Sequence, residues 1–174
     1  MKTARILLAS VFPFLFGSLH FAGHAATGGP LLVPLRVSES HRFLVTADGR
    51  PFFWLGDTAW ELLHRLTREQ IQAYLTKRAA QRFNVIQVVA LPEINGLTST
   101  NRYGEVPLVD LDPSQPNERW FVLLDFVVTE AANRGLYVAI LPSWGSYAVK
   151  EQHALFKNHF LFTSTNAAGY GRRL

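Results

Sequence analysis

Pro51-Phe-Phe-Trp-Leu-Gly-Asp-Thr-Ala-Trp-Glu61 is the stretch that decides the fold. An apolar run leads into Gly56 and Asp57, so the reading places a carboxylate and the aromatic Trp60 at the C-terminal end of a strand. Open α/β sheets and parallel barrels bind their ligands at such strand ends. Upstream, Phe43-Leu-Val45 is a second short strand candidate, and Thr46-Ala-Asp-Gly-Arg50 lies between the two. Asp48-Gly49 supplies the residues a hairpin turn demands. Residues 43–45 are thus expected as an antiparallel lead-in and 52–55 as the first main strand, with Asp57 at its end. Pro34 limits regular structure just before them.

Downstream the period changes. Over 67–82, Ile71, Tyr74, Leu75, Arg78 and Ala79 recur at three and four residues, the spacing of one helical face. Thr67 with Gln70 forms a capping-box pattern, and Glu69 suits the positive first turn. Val85-Ile-Gln-Val-Val-Ala-Leu91 is β-branched and apolar apart from Gln87, as expected of a parallel strand covered on both faces, and Pro92 ends it. Residues 92–116 form a long irregular loop, a length usually associated with function or disorder. Asn117 caps a second helix, from 118 to about 133, whose expected buried stripe is Trp120, Phe121, Leu124, Val127, Val128, Ala131 and Ala132. Gly135 stops it and Leu136-Tyr-Val-Ala-Ile-Leu141 is a third strand.

Strand, helix, strand, helix, strand with long crossovers predicts parallel pairing. Right-handed crossovers put both helices on one side of a sequentially ordered sheet, which is how a barrel begins; a small doubly wound sheet is the other arrangement the pattern allows. Beyond Trp144 the pattern weakens. Residues 150–162 could form a short helix or a lid, and a helix starting at Asn166 is handicapped by Gly169 and Gly171.

The N-terminus has a different character. Lys2 and Arg5 precede an apolar run from Ile6 to Phe16, and Ala22-Gly-His-Ala-Ala26 offers small residues for cleavage, the pattern of an export signal. The run is shorter than the roughly 20 residues of a membrane span, so no stable span is expected after cleavage, although an uncleaved anchor is the alternative. The expected organisation is a signal peptide at 1–25, a lead-in at 26–42 and a barrel-type domain at 43–174, in a secreted or periplasmic protein. Cleavage would remove two of the cationic side chains, Lys2 and Arg5, and take the formal charge from +4 to +2. No basic tract with interleaved aromatics supports nucleic-acid binding. With no Cys in 174 residues, disulfides and thiol chemistry are excluded.

Candidate site residues follow from the strand ends. Asp57, Thr58 and Trp60 follow the first main strand; Glu93, Asn95, Asn101 and Tyr103 follow the second; Ser143, Trp144 and Tyr147 follow the third. Carboxylates beside flat rings suit a sugar, whose hydroxyls need directional acceptors and whose C–H face stacks on an aromatic ring. The same residues have plainer uses: Asp57 could cap a helical turn, and the tryptophans could cover apolar seams. Asp57 and Glu93 are the pair to consider for a glycosidase, which needs two carboxyl groups about 5 to 9.5 Å apart. Asp110 and Asp112 read as turn formers. His41, His64, His153 and His159 lack metal-ligand spacing, and the glycines form no phosphate loop or dinucleotide fingerprint. Ser143-Trp-Gly-Ser is not a nucleophile elbow, and no cofactor is expected.

Taken together, Phe52-Phe-Trp-Leu-Gly-Asp-Thr-Ala-Trp60, Phe83-Asn-Val-Ile-Gln-Val88, Leu111-Asp-Pro113, Trp120 with its helix, Arg134-Gly-Leu-Tyr-Val138 and Leu141-Pro-Ser-Trp144 resemble the start of the apiosidase-like glycoside hydrolase catalytic domain, also described as domain of unknown function 4038. The resemblance runs roughly from Phe43 to Leu174. It implies an α/β fold, a partial (β/α)₈ TIM barrel comprising about the first three βα units behind a short N-terminal hairpin. It also implies secreted carbohydrate metabolism, with action on side chains of plant or related polysaccharides. In that family the acid/base follows the fourth strand in a Gly-Gly-Asp context and the nucleophile lies near the seventh; neither has a counterpart here. The resemblance therefore makes the chain an N-terminal fragment inactive by itself, and makes Asp57, Trp60, Glu93, Asn95, Tyr103 and Trp144 substrate-binding candidates rather than catalytic ones. Exposed sheet edges are expected to favour association. A non-catalytic carbohydrate-binding protein that keeps the aromatic rim is the alternative.

Overall fold

The computed structural model describes residues 32–147 and 167–174. The signal-peptide reading and the 150–162 segment lie outside the described residues.

Two sheets are present among the described residues. Strands β1 (Leu35–Val37) and β2 (Leu44–Thr46) pair antiparallel, Leu35 opposite Thr46. Pro34 therefore does not prevent a strand: it sits immediately before β1, where its missing N–H costs no ladder bond. The turn after β2 forms as expected, with the Gly49 N–H donating to the Thr46 carbonyl at 2.8 Å and Gly49 at φ +88. The Phe52 N–H still donates to the Leu44 carbonyl, but residues 52–55 do not continue as a main strand.

The first parallel strand starts later. It is β3 (Gly56–Ala59), paired with β4 (Val85–Val89), which pairs in turn with β5 (Tyr137–Leu141) in the order β3-β4-β5. Both pairings are parallel, with Asp57 beside Ile86 and Ile86 beside Val138. Asp57 is thus the second residue of a strand rather than the residue that ends one. Gly56 leaves room for a neighbour: a Cβ there would fall 2.8 Å from Nε1 of the Trp54 indole.

After β3 come α1 (Leu62–Arg65) and α2 (Arg68–Ala80). Both halves of the Thr67–Gln70 capping box form, so two N–H groups at the start of α2 are satisfied by side chains. Helix α3 (Glu118–Ala132) is capped by the Asn117 side chain, which accepts from the Arg119 N–H. Gly135 at φ +73 turns the chain out of α3 toward β5.

Helices α1, α2 and α3 pack on one face of the sheet. Ile71 and Leu75 of α2, Trp120, Phe121, Leu124, Val127 and Ala131 of α3, and Ile86 and Val88 of β4 form one buried core. Each fully buried aliphatic side chain contributes about 1.5 to 3 kcal/mol of burial. Inside that core the Trp120 indole N–H donates to the Ala90 carbonyl at 3.2 Å, so its polar edge is satisfied. The expected α3 stripe needs adjustment, because Val128 is exposed and Leu123 is buried instead.

The short helix α4 (Ala167–Gly171) forms despite its two glycines. Tertiary packing outweighs their poor propensity: Tyr170 is buried against Phe121, and its hydroxyl donates to the Pro142 carbonyl at 2.5 Å. On the opposite face of the sheet, the Tyr137 hydroxyl donates to the Val33 carbonyl at 2.5 Å and Phe52 meets the Tyr137 ring edge-on. The N-terminal segment therefore covers the end of the sheet where β5 begins.

Candidate functional site

Strand alternation sorts the residues of the Gly56–Trp60 signature onto opposite faces. Asp57 shares its register row with Ile86, a core residue beneath the helices, and so faces α2. There the Tyr74 hydroxyl donates to Asp57 Oδ2 at 2.6 Å, and Arg78 Nε donates to the same oxygen. Burial pulls the Asp57 carboxyl upward, but the hydrogen bonds from Tyr74 and Arg78 together with the Arg78 charge win, and it is held below the usual Asp value. The Tyr74 phenol moves the other way, raised by burial and then by the Asp57 carboxylate. The strand-end position read for Asp57 is corrected here: the main strand begins at Gly56, so the pleat directs the carboxylate to the helix layer. Neither does Asp57 cap a turn.

Thr58 lies in the row with Gln87 and Ala139, on the other face, and its hydroxyl donates to Gln87 Oε1 at 3.2 Å. Past the end of β3, Trp60 meets Trp144, which follows β5. Their ring centroids are 4.9 Å apart at an interplanar angle of 63°, and Trp60 remains 46% exposed. An edge-to-face pair with one ring still open to solvent is a rigid aromatic corner.

The loop after β4 joins the same end of the sheet through its backbone. The Tyr147 hydroxyl lies 2.9 Å from the Pro92 carbonyl and 3.0 Å from that of Glu93, tying the segment after β5 to the segment after β4. Burial pushes the Tyr147 phenol up to about 12, helped by the negative charges of Glu93 and Glu61. Glu61 and Glu93 therefore share the electrostatic surroundings of one buried phenol, and strand-end segments from β3, β4 and β5 converge there.

Other candidates are placed differently. Asn95 adopts a left-handed backbone (φ +55) and its carbonyl accepts the Thr98 and Ser99 N–H groups, which makes it a turn former. Tyr103 reaches α2: its hydroxyl accepts the Arg68 N–H at 2.7 Å, and the Arg68 guanidinium lies 5.5 Å from its ring centroid. Asp112 closes a turn by accepting from Ser114 and Gln115, as its spacing predicted. Among the described residues no group of three or more His, Cys, Asp or Glu side chains could hold a metal.

Glu61 was not singled out by sequence reasoning. Its Oε2 sits 3.1 Å from His64 Nδ1 and 3.2 Å from Arg65 Nε, which carries the polar surface from Trp60 onto α1. The i, i+3 and i+4 spacing of Glu61, His64 and Arg65 was the available signal, masked by the short length of α1.

Comparisons with known proteins bear on the family and the fold. The sequence profile of the family "Apiosidase-like, catalytic domain" matches residues 38–174. A solved structure titled "Glycoside hydrolase" is 34% identical with a TM-score of 0.59, over 68% of this chain and 28% of that one. A glycoside hydrolase family 5 structure from Bacteroides vulgatus is 32% identical with a TM-score of 0.58, over 68% and 27%. At 16% identity and a TM-score of 0.52, a family 5 mannosidase from Rhizomucor miehei shares the fold over 67% of this chain and 31% of its own. In sequence, "Putative mannan endo-1,4-beta-mannosidase 9" of Oryza sativa subsp. japonica is 27% identical over 114 residues, 62% of this chain and 26% of the rice protein. The chain thus spans between a quarter and a third of the length of these relatives. From the match over residues 38–174, the chain belongs to the apiosidase-like catalytic-domain family of glycoside hydrolases.

Proposed function

We propose that this chain forms the first three βα units of a (β/α)₈ glycoside hydrolase barrel and supplies part of the rim that holds a polysaccharide side chain. The observation that carries the proposal is the Trp60–Trp144 corner at 4.9 Å, built from the ends of β3 and β5, with Tyr147 tying the segment after β5 to the loop after β4. Three consecutive parallel strands that deliver aromatic and carboxylate groups to one end of a sheet match how barrel enzymes assemble a cleft. Trp60 and Trp144 stack on sugar rings, and Glu93 joins that surface on the segment that the Tyr147 hydroxyl holds in place. Asp57 serves the cleft from behind by fixing α2 to β3 through Tyr74 and Arg78.

Hydrolysis needs two carboxyl groups set about 5 to 9.5 Å apart, and the positions that resemblance assigns to them have no counterpart in this chain. We therefore expect the 174-residue chain to bind glycan without cleaving it. The segment 1–25 directs export in this reading, which fractionation of expressing cells tests directly. The rice relative's name adds β-1,4-mannan to the substrates worth testing, beside plant side-chain oligosaccharides.

Affinity electrophoresis in gels containing these polysaccharides tests the cleft. Retardation that is lost in Trp60→Ala and Trp144→Ala supports it, and retardation unchanged in both variants overturns it. A non-catalytic carbohydrate-binding protein is the second reading, favoured by the same aromatic corner. Cooperative unfolding of the purified chain with saturable glycan binding is the result it requires.

A further inference from the structure

Glu61, which ends the signature, uses only half of its carboxylate within the fold. Oε2 lies 3.1 Å from His64 Nδ1 and accepts from Arg65 Nε at 3.2 Å, which holds that oxygen against α1. Oε1 has no hydrogen-bonding partner among the described residues, and it is not shut away from solvent. The structural duty of Glu61 is therefore complete at Oε2, and Oε1 is left open as an acceptor.

That oxygen belongs to a recess rather than to a flat surface. Glu61 lines a cavity of about 290 Å³ together with Trp60, Arg65 and the apolar Ala59, Leu62 and Leu66. Trp60 is 46% exposed, so part of its ring is open to a ligand. Arg65 meets Glu61 through Nε alone; its Nη groups have no hydrogen-bonding partner among the described residues, and the side chain is exposed. One recess thus offers an aromatic ring, a carboxylate acceptor and guanidinium donors. Its volume lies near the lower limit of ligand pockets, about 300 Å³, which suits a single ring better than an extended chain.

The chemistry of the three groups fits adjacent hydroxyls on a ring with an apolar face. A carboxylate oxygen can only accept and a guanidinium can only donate, so a hydroxyl pair is read in one direction: one donates to Oε1 and its neighbour accepts from Nη. Both are charge-assisted bonds, about twice as strong as neutral ones. An anion would be repelled at Oε1, and a wholly apolar ligand would bury that oxygen without a partner.

We propose that Glu61 is a sugar-binding residue that selects the hydroxyl pattern of the ring lying on Trp60, with Oε1 accepting from one hydroxyl and Arg65 Nη donating to the next. The proposal deepens the glycan-cleft reading and rests on it for the presence of a sugar.

Glu61→Gln isolates the open atom. Arg65 Nε can only donate, so it takes the amide oxygen, and the amide NH₂ falls where Oε1 stood; acceptor becomes donor at nearly constant shape. In affinity electrophoresis of the full 174-residue chain through gels containing β-1,4-mannan, Glu61→Gln should bind about tenfold more weakly, the worth of one charge-assisted hydrogen bond. Arg65→Met, at an exposed side chain, should weaken binding about fivefold. Glu69→Gln, at an exposed carboxylate on α2, should change nothing. Undiminished binding in Glu61→Gln or in Arg65→Met, or a loss in Glu69→Gln equal to that in Glu61→Gln, overturns the assignment.

Methyl β-mannoside and its 2-, 3-, 4- and 6-deoxy analogues, titrated by NMR, identify the contact. One analogue should bind wild type about tenfold more weakly than the parent sugar yet bind Glu61→Gln as well as the parent does, because both deletions remove the same bond. Deoxy losses that are the same in both proteins, or no saturable binding of the mannoside, also overturn it. Retardation lost in Trp60→Ala but kept in Glu61→Gln upholds the cleft and removes Glu61 from it. Wild type that is not retarded takes down the cleft reading and the Glu61 assignment together.

Discussion

Asp57 and Trp60 stand three residues apart in one signature, and one serves the helix layer while the other serves the strand end. Asp57 is paired inward beneath α2 with Tyr74 and Arg78; Trp60 stands past the strand end against Trp144, half exposed. The difference teaches that a polar residue in a motif does not declare its face. A shift of one residue in strand register decides whether a carboxylate meets a helix or the opposite face.

The sharpest way to break this contrast is to remove Asp57. Asp57→Ala leaves the Arg78 guanidinium and the Tyr74 hydroxyl without their shared acceptor. With both ion-pair partners about a quarter exposed, the loss should be about 2 kcal/mol, read as a lower midpoint in urea. Glycan retardation, measured well below that midpoint, should stay intact. If stability held and glycan binding vanished, Asp57 would belong to the cleft.

The same pair has a pH signature. Because the folded carboxyl is held below its ordinary value of 3.8, its contribution is fully present above that value and is lost as pH falls through the lower, folded value. Acid unfolding followed by circular dichroism should therefore show wild type losing its advantage over Asp57→Asn as pH drops below about 4. Parallel curves for the two proteins would show that the ion pair carries no weight.

On the other side of the contrast, Trp144→Ala should weaken glycan binding about tenfold, or about 1.4 kcal/mol, in the range expected for loss of one stacking ring. A urea midpoint that falls as far as in Asp57→Ala would instead make the aromatic corner a packing device. The smallest expected effect is local to α2. Thr67→Ala removes the cap that meets the Gln70 N–H and should cost about 1 kcal/mol in the same unfolding experiment, with glycan binding unaffected.

Much of the fold is legible along the chain because its determinants are near neighbours. The Thr67–Gln70 box, the Asn117 cap, the Asp48-Gly49 turn and the β-branched run of β4 each act within a few residues, and each formed where the pattern indicated. The first main strand was the exception. Phe52 to Leu55 has the apolar character of a strand, yet Phe53, Trp54 and Leu55 are exposed and the pairing begins at Gly56. Apolarity marks a chain that can enter a sheet, while the partner strand decides which residues do.

The site divides the same way. Trp60 and Trp144 could be named from strand ends alone, since a parallel sheet brings successive strand ends together. Tyr103 could not be placed, because its bond to the Arg68 N–H links residues 35 apart and turns the phenol toward the start of α2. Nor could the docking of the long loop on α1, where Arg102 reaches the Arg65 carbonyl across 37 residues of sequence.

By itself the sequence determined the order of elements, the helix caps, the family resemblance and the aromatic residues at the strand ends, all set by local pattern and composition. Only the tertiary structure decided that Asp57 serves the helix layer, that Glu61 joins His64 and Arg65, and that the Asn101 side chain is buried with its Oδ1 accepting the Tyr103 and Glu105 N–H groups. Those outcomes depend on strand register and on contacts between distant segments, where a single residue of offset exchanges one face for the other.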